Sequence, residues 1–238
     1  MSVSEPAQSF DRAAAEYERG RPGWPATVLD VLSLATDATV LDLGAGTGKL
    51  TRLLAARYAR VVAVEPLAEL RAILAQRVPA ADVRDGVAER IPLGDAEVDG
   101  VFAAQSFHWF ANDTAVREIA RVLRPGGVIA VLWNEAAPPS PLPPVYRRRL
   151  DELQSATPPP VVDQDILQRS GCFGVETETF VEHEQVSTRD DALAFAASVS
   201  WIASRADHEQ VLAELAELLP HGEYRFPMRA NIAWAIRL

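Results

Sequence analysis

Cysteine is almost absent from this chain of 238 residues, which contains a single one, Cys172. One thiol cannot form an intramolecular disulfide, and it cannot supply a cysteine-based metal cluster. We therefore interpret Cys172 as a small, buried apolar residue. The four histidines, at positions 108, 183, 208 and 221, are far apart and lack the spacing of paired metal ligands. The sequence predicts no metal site.

The chain is also poor in positive charge and in long apolar runs. It has 23 Lys and Arg residues against 33 Asp and Glu residues, a formal net charge of −10, and such a chain repels phosphate backbones. No segment approaches the roughly 20 apolar residues of a membrane span. The polar N-terminus has no apolar signal core. We expect a cytoplasmic protein whose main partner is neither a nucleic acid nor a membrane, and nothing here indicates an oligomeric state.

What the chain does contain is a regular alternation of two patterns between residues 38 and 134. Apolar, β-branched runs predict strands at 38–43, 60–65, 81–86, 98–107 and 127–134. Helical apolar spacing predicts helices at 48–58, 67–78 and 113–123, after two shorter ones at 10–20 and 26–34. Strands that alternate with helices require crossover connections, which give a parallel sheet with helices on both faces. The predicted fold class is a doubly wound, mostly parallel, Rossmann-like α/β sheet.

The alternation stops at residues 138–160, where eight of the 17 prolines are found. Proline cannot donate within a strand ladder, so we expect an excursion from the sheet that contains a helix at 145–155. Strands at 175–184 and 224–236 bring the sheet to seven strands, and helices at 189–204 and 209–219 form an insertion between them. We expect both segments to cover the carboxyl ends of the fourth and fifth strands. Residues 1–135 are then the cofactor-binding half, and residues 136–238 complete the same domain.

Three glycines at alternating positions, Gly44, Gly46 and Gly48, follow the first predicted strand and its acid, Asp42. Ligands of open parallel sheets bind beyond the carboxyl ends of the strands, and glycine lets a ligand lie directly on the backbone. A mononucleotide phosphate loop is excluded because Leu50 stands where that motif needs Ser or Thr. The Gly-x-Gly-x-x-Gly dinucleotide pattern differs in spacing, and Asp42 would repel a pyrophosphate.

A ligand that carries positive charge and no phosphate suits this loop better. The ammonium and sulfonium groups of S-adenosylmethionine favour a nearby acid such as Asp42. Its ribose hydroxyls need a second acid at the end of the second strand, where Glu65 is found. These residues predict S-adenosylmethionine as the cofactor.

Four sequence blocks together resemble a known family. They are LDLGAGTG, VVAVEP, DGVAERIPLGDAEVDGVFAAQSFHWF and ARVLRPGG, which occur in this order within residues 9–135. In these blocks the chain resembles the class I S-adenosylmethionine-dependent methyltransferases. The most similar branch is the small-molecule methyltransferase type 11 group, which is related to ubiquinone/menaquinone C-methyltransferases and to trans-aconitate methyltransferase. Residues 136–238 match no functional motif.

The resemblance implies a set of cofactor-binding residues, which are Asp42, Gly44, Ala45, Gly46, Gly48, Glu65, Pro66, Val87, Ala88 and Gln105. It implies that the glycines lie under the methionine part and that Asp42 faces its ammonium. Glu65 is then the partner of both ribose hydroxyls, and Pro66 and Leu67 flank the adenine. Gln105 ends the fourth strand, where the family's backbone approaches the methyl donor.

The third-strand loop departs from the family pattern. Many relatives place an acid where this chain has Val87. The resemblance then leaves two ways to contact the adenine amino group: the backbone of Val87 and Ala88, or the carboxylate of Asp85.

An N-terminal pattern also resembles this branch. It implies that Tyr17 and Arg21 cover the cofactor and meet its carboxylate, while ordinary helix packing of Tyr17 and a solvated Arg21 are the alternatives. His108 is the only histidine near the expected methyl group, in the run SFHWF. It is the candidate catalytic residue, either as a base or as a substrate ligand, and packing of the sheet rim is the alternative.

The expected function is S-adenosylmethionine-dependent methyl transfer to a small organic molecule. A dinucleotide-dependent oxidoreductase is the first alternative, against which the glycine spacing and the lack of a Tyr-x-x-x-Lys pair both argue. A protein that binds the cofactor without transferase activity is the second. The residues do not distinguish O-, N- and C-methylation. The expected acceptor pocket is apolar, with walls from Phe107, Trp109 and either Trp133 or Trp201.

Overall fold

The fold was analysed in a computed structural model, which describes residues 18–155 and 165–238. The described chain contains seven strands: β1 (Thr39–Leu43), β2 (Arg60–Val64), β3 (Asp82–Arg84), β4 (Val98–Ala104), β5 (Leu123–Ala136), β6 (Thr177–Thr188) and β7 (Glu223–Ile236). Its α-helices are α1 (Lys49–Arg57), α2 (Ala68–Arg77), α3 (Asp113–Val122), α4 (Pro144–Ser155), α5 (Ile166–Arg169), α6 (Arg189–Ser198), α7 (Ser200–Ala203) and α8 (His208–Leu218). Two 3-10 helices span Ala26–Leu29 and Phe107–Trp109.

The strands form one sheet in the order β3-β2-β1-β4-β5-β7-β6. β1 pairs in parallel with β2 and β4, β2 with β3, and β4 with β5. The chain therefore builds outward from β1 to β3 and then returns to build the other half from β4. This reversal of strand order lies between β1 and β4, where open α/β sheets bind their ligands. The predicted doubly wound, mostly parallel sheet of seven strands is confirmed.

The strand β7 runs against β5. Arg237 N–H donates to Gly127 O (2.8 Å), and Ala137 N–H donates to Pro227 O (2.7 Å). As residue numbers rise along one strand, those of its partner fall, so the pair is antiparallel. The sheet is therefore mixed, and the helices α6, α7 and α8 are inserted in the chain between β6 and β7, as the sequence predicts.

Alternating strand residues explain why helices pack on both faces of the sheet. Val40 of β1 belongs to a buried cluster with Leu54 of α1. The next residue, Leu41, belongs to a second cluster with Val116 and Ile119 of α3. Because successive side chains of a strand point to opposite faces, these two clusters lie on opposite sides of β1.

Contacts divide the described chain into two compact units. The sheet unit comprises residues 23–135, 165–182 and 229–238, and the helical unit comprises residues 18–22, 136–155 and 183–228. The helical unit has its own apolar cluster, to which Tyr146 of α4, Ala196 of α6 and Leu215 of α8 belong. Both units thus bury apolar side chains of their own. The predicted cover over the strand ends stays a prediction.

The structure corrects two element boundaries near the N-terminus and in β5. The helix expected at 26–34 is a single 3-10 turn that ends with the Asp30 N–H bonded to Thr27 O (3.1 Å). Beyond it Leu32 is buried in the same cluster as Val28, so packing replaces further helical turns. Strand β5 begins at Leu123 rather than at residue 127. The sequence Arg-Pro-Gly-Gly lies within the strand because Gly126 adopts φ +80° beside a register shift, as in a bulge.

A third correction concerns the helix expected at 189–204. It is broken into α6 and α7 at Val199, whose ψ of 133° is extended. Ser198 Oγ donates to Phe195 O (2.8 Å), a local bond of the kind that competes with helical continuation. In the part of the chain that the structure describes, we find no helix of the length and apolarity that a membrane crossing needs.

Candidate active site

The loop after β1 depends on three glycines for different reasons. Gly44, Gly46 and Gly48 all have positive φ angles, of 70°, 58° and 88°. A Cβ on Gly44 would lie 2.7 Å from Ser106 Cβ, and one on Gly48 would lie 2.3 Å from Leu74 Cδ1. A Cβ on Gly46 would meet nothing within 4 Å. Packing thus explains the first and third glycines, whereas the bare backbone of Gly46 faces open space.

Glu65 holds this loop from the end of β2. Its side chain is buried, with Oε2 accepting the Gly46 N–H (2.8 Å) and Oε1 accepting the Leu67 N–H (3.0 Å). A carboxylate offers about four lone-pair sites, so each oxygen can accept one further hydrogen bond. The sequence places Glu65 at the strand end, and the structure adds that it contacts the glycine loop directly.

Asp42 lies on β1 beneath the loop and is 1% exposed. Thr51 of α1 donates its hydroxyl to Asp42 Oδ2 (2.6 Å). The pKa of Asp42 is raised to about 7: burial is the main cause, the Thr51 hydrogen bond opposes the shift, and the negative charge of Glu65 adds to it. The site therefore contains two acids close enough to influence each other, and a positive charge there would favour the ionised form of Asp42.

The end of β4 is tied to the ends of β1 and β5. Gln105 has a φ of 54°, which is uncommon for a residue with a side chain. Its backbone N–H donates to Leu132 O and its side-chain Nε2 donates to Asn134 O, both at 2.9 Å. The following residue, Ser106, donates its buried hydroxyl to Leu43 O (2.8 Å). These bonds fix the three strand ends around the switch point, where unusual backbone angles tend to occur at functional sites.

Three polar residues of this region were missed in the sequence. Thr51 and Ser106 are short hydroxyl residues in apolar surroundings, and Asn134 ends the apolar run of β5. Asn134 is 9% exposed and its Nδ2 donates to Gly23 O (2.8 Å). The signal that could have found Asn134 is its place as the first amide after an apolar strand, the position that Gln105 also occupies.

The remaining loop residues differ in exposure. Val87 is 44% exposed, whereas Ala88 is buried in the cluster with α3. Pro66 is exposed, and Ala45 packs against the small cluster of Ala63 and its neighbours. Pro66 and Val87 thus present surface at the ends of β2 and β3. Contacts of these residues with an adenine stay a prediction.

His108 lies in the 3-10 helix that follows β4. Its ring centroid is 4.7 Å from that of Trp109, which is 69% exposed. The flanking Phe107 and Phe110 are buried and pack edge to face, with centroids 5.6 Å apart. The buried phenylalanines anchor this turn in the core, while His108 is half-buried and Trp109 is exposed. Phe107 is therefore a core residue, and a catalytic role of His108 stays a prediction.

Arg21 belongs to the helical unit. Its Nε donates to Ser198 Oγ (3.2 Å) and its Nη2 to Ser198 O (3.0 Å), and its guanidinium lies 5.5 Å from the centre of the Phe195 ring. These contacts exclude a merely solvated side chain. The expected contact of Arg21 with a cofactor carboxylate stays a prediction, and Tyr17 lies outside the described residues.

The sheet unit thus brings Asp42, Gly44, Gly46, Glu65 and Gln105 to the carboxyl ends of β1, β2 and β4. Across residues 18–155 and 165–238, no three His, Cys, Asp or Glu side chains group as they would around a metal ion. The glycine loop and the two acids, Asp42 and Glu65, thus lie at the switch point, where open α/β sheets bind their ligands.

Comparison with known proteins defines the class. Residues 41–131 match the family model described as a methyltransferase domain. An uncharacterized methyltransferase of Mycobacterium tuberculosis is 36% identical over 215 residues, which cover 78% of this chain and 88% of the relative. The chain therefore belongs to the methyltransferase family, with the class I fold.

Solved structures agree with this assignment. A protein of Anaeromyxobacter dehalogenans that is provisionally assigned as a type II methyltransferase is 28% identical, with a TM-score of 0.65 over 91% of this chain and 96% of that one. The geranyl diphosphate C-methyltransferase of Streptomyces coelicolor A3(2), solved with Mg²⁺, geranyl diphosphate and S-adenosyl-L-homocysteine, has a TM-score of 0.52 over 90% of this chain and 77% of that one. Its identity of 16% supports the fold alone.

Proposed function

We propose that the chain transfers a methyl group from S-adenosylmethionine to a small organic molecule. The observation that carries the proposal is the hydrogen bond from the Gly46 N–H to the Glu65 carboxylate (2.8 Å). The space beside Gly46 is open, because a Cβ placed on this residue would meet no atom within 4 Å. This hydrogen bond places Glu65, whose carboxylate has acceptor sites to spare, next to the open backbone of Gly46, on which a ligand can lie. The four sequence blocks favour the type 11 branch related to ubiquinone/menaquinone C-methyltransferases.

The residues present fit this cofactor better than a dinucleotide. Glu65 would accept hydrogen bonds from the ribose hydroxyls with its remaining lone pairs. Asp42, whose pKa is raised to about 7 mainly by burial, would be favoured in its ionised form by the ligand's positive charges. A pyrophosphate over the same loop would add negative charge to a site that already holds two acids.

The chain's contribution to the reaction is alignment, exclusion of water and proton handling. When bound, S-adenosylmethionine supplies a methyl group on a sulfonium, which is already a good leaving group. Gln105 and Ser106 fix the end of β4 beside the loop, which defines where an acceptor can approach. His108 would take the proton of an acceptor whose nucleophile carries one at neutral pH.

The acceptor class is proposed from charge and from the branch. A formal net charge of −10 disfavours nucleic acid as the acceptor. The exposed Trp109 beside His108 offers an apolar surface for a small organic molecule.

The test is a methyl-transfer assay with S-adenosylmethionine and panels of carboxylic acids, phenols, alcohols and amines. Turnover is measured as the release of S-adenosylhomocysteine. We expect turnover with a member of these panels and none with DNA or RNA. With that acceptor, His108→Ala should lower kcat much more than cofactor affinity, while His221→Ala, an exposed histidine of the helical unit, should change neither. Turnover on nucleic acid alone would contradict the proposal. Cofactor binding without any transfer would favour the binding-protein alternative.

A further inference from the structure

Arg71 contacts the backbone on the carboxyl side of Glu65. It is the fourth residue of α2, and its side chain is 21% exposed. A single atom, Nη1, donates to Glu65 O (2.8 Å) and to Pro66 O (2.7 Å). The same nitrogen lies 3.0 Å from Asp85 Oδ1, beyond the end of β3. One guanidinium nitrogen thus joins the chain after β2 to the chain after β3.

The peptide unit between Pro66 and Leu67 connects Arg71 to the Glu65 carboxylate. Its carbonyl oxygen is held by Arg71 Nη1 (2.7 Å), and its N–H donates to Glu65 Oε1 (3.0 Å). A donor on the carbonyl also polarises the peptide and strengthens the bond that its N–H makes. Arg71 therefore fixes the direction of the N–H that orients one carboxylate oxygen.

The second contact fixes the backbone of Glu65 itself. Its carbonyl oxygen accepts from Arg71, while its N–H donates to Arg84 O (3.2 Å). With both backbone groups held, the Cα–Cβ bond has a defined direction. The carboxylate oxygens are then held by Gly46 and Leu67. Without Arg71, the chain after β2 loses this ion pair with Asp85.

We infer that Arg71 is a positioning residue that sets the Glu65 carboxylate for a ribose diol. Arg71 contacts backbone carbonyl oxygens and Asp85, and it acts on the Glu65 carboxylate through the Pro66–Leu67 peptide. The inference rests on the proposed function, because it concerns the residue that would bind the ribose. It follows that Arg71 controls how strongly the site distinguishes a ribose from a deoxyribose.

The test compares calorimetric affinities for S-adenosylhomocysteine and for its 2′-deoxy counterpart. The variants are Arg71→Met, Arg71→Lys and, as a charge-matched control on the same helix, Arg77→Met. In the unaltered protein we expect loss of the 2′-hydroxyl to weaken binding roughly tenfold, the size of a hydrogen bond to a charged group. Arg71→Met should weaken the binding of S-adenosylhomocysteine roughly tenfold. It should also reduce the penalty, the loss of affinity caused by the missing 2′-hydroxyl, to less than about threefold. Arg77→Met should leave both values unchanged.

Arg71→Lys should recover part of the affinity and part of the penalty. All three contacts converge on one nitrogen, which carries two N–H groups, and the lysine ammonium places three N–H groups on one nitrogen, although its stem is shorter. If Arg71→Met does not fold, Arg71→Lys decides, and unaltered values in it would overturn the inference. Equal weakening of both ligands in Arg71→Met, with the penalty unchanged, would also overturn it, since Arg71 would then only stabilise the fold. Failure of the unaltered protein to bind S-adenosylhomocysteine would instead contradict the proposed function, and the inference with it.

Discussion

Glu65 has two tasks at the scale of the single residue. Its carboxylate stabilises the glycine loop by accepting the Gly46 N–H, and it stabilises the start of α2 by accepting the Leu67 N–H. The same oxygens retain acceptor sites for a ligand. The position of Glu65 after an apolar run was readable from sequence. Its bond to a backbone N–H nineteen residues earlier was not, because that bond depends on how β1 and β2 pair.

Substitution of Glu65 should therefore affect the cofactor strongly. Glu65→Ala should weaken S-adenosylmethionine by roughly 1.5–3 kcal/mol, at least about tenfold in dissociation constant, because it removes hydrogen bonds to a charged group. Glu65→Gln should recover only part of this affinity, because the amide NH₂ replaces one carboxylate oxygen and cannot accept the backbone N–H that this oxygen binds. Isothermal titration would measure both, with Glu69→Gln, an exposed acid in the first turn of α2, as the control. If the unaltered protein and all three variants bind S-adenosylmethionine equally well, a residue other than Glu65 binds the ribose.

Asp42 should make the free energy of unfolding depend on pH. Its pKa is raised from the ordinary 3.8 to about 7 in the folded protein, mainly by burial. The folded state therefore holds a proton that the unfolded state has lost between these values, and stability falls as pH rises from about 4 to about 7. Asp42→Asn has no proton to lose at this position. Its stability relative to the unaltered protein should therefore be higher at pH 8 than at pH 5.

Urea titrations of the two proteins at both pH values would measure this difference. Asp37→Asn, an exposed acid outside the site, should show the same stability difference at both pH values. If the Asp42→Asn difference does not change with pH either, Asp42 is ionised throughout and the account of its environment is wrong.

At the scale of elements, sequence periodicity predicted the strands and helices that alternate up to β5. It failed where a local signal competed with a distant contact. Arg124-Pro-Gly-Gly reads as a helix stop, yet Leu123 pairs with Val98 and the glycine bulge is absorbed into β5. The three loop glycines likewise look equivalent in sequence. Only the positions of Ser106 and Leu74 show that two of them are required by packing.

The helix α6 begins with a capping box that the sequence reading did not identify. Thr188 Oγ1 accepts the Asp191 N–H (3.2 Å), and the Asp191 carboxylate accepts the Thr188 N–H (2.8 Å). Thr188→Ala should lower the free energy of unfolding by about 1 kcal/mol, the usual cost of losing an N-cap. Thr188→Ser is the matched control, because serine keeps the hydroxyl that accepts the Asp191 N–H, and it should change stability by less than about 0.5 kcal/mol. Equal effects in chemical denaturation would show that the box contributes nothing.

At the level of the whole molecule, Asp42, Gly44, Gly46, Glu65 and Gln105 of the candidate site lie in the sheet unit. They come from chain segments that the sequence blocks mark. The helical unit has a separate apolar cluster and no recognisable motif. Its role toward an acceptor could not be predicted, because acceptor contacts leave no fixed spacing in a sequence. That the candidate residues at the ends of β1, β2 and β4 lie together could be predicted, because strand ends of a doubly wound sheet converge at one edge.

The proposed function depends above all on a cationic, phosphate-free cofactor that lies on the bare backbone of Gly46. Calorimetric titration with S-adenosylmethionine and with NAD tests it, in the unaltered protein and in Gly46→Asn and Gly126→Asn. Both glycines have left-handed φ angles and nothing within 4 Å of a Cβ, and asparagine tolerates that conformation best among side chains. The two substitutions thus carry similar strain, and only one fills the proposed site. We predict that S-adenosylmethionine binds the unaltered protein and Gly126→Asn, that Gly46→Asn loses this binding while remaining folded, and that NAD binds none of the three. Tight NAD binding without S-adenosylmethionine binding, or undiminished S-adenosylmethionine binding by Gly46→Asn, would contradict the proposed function.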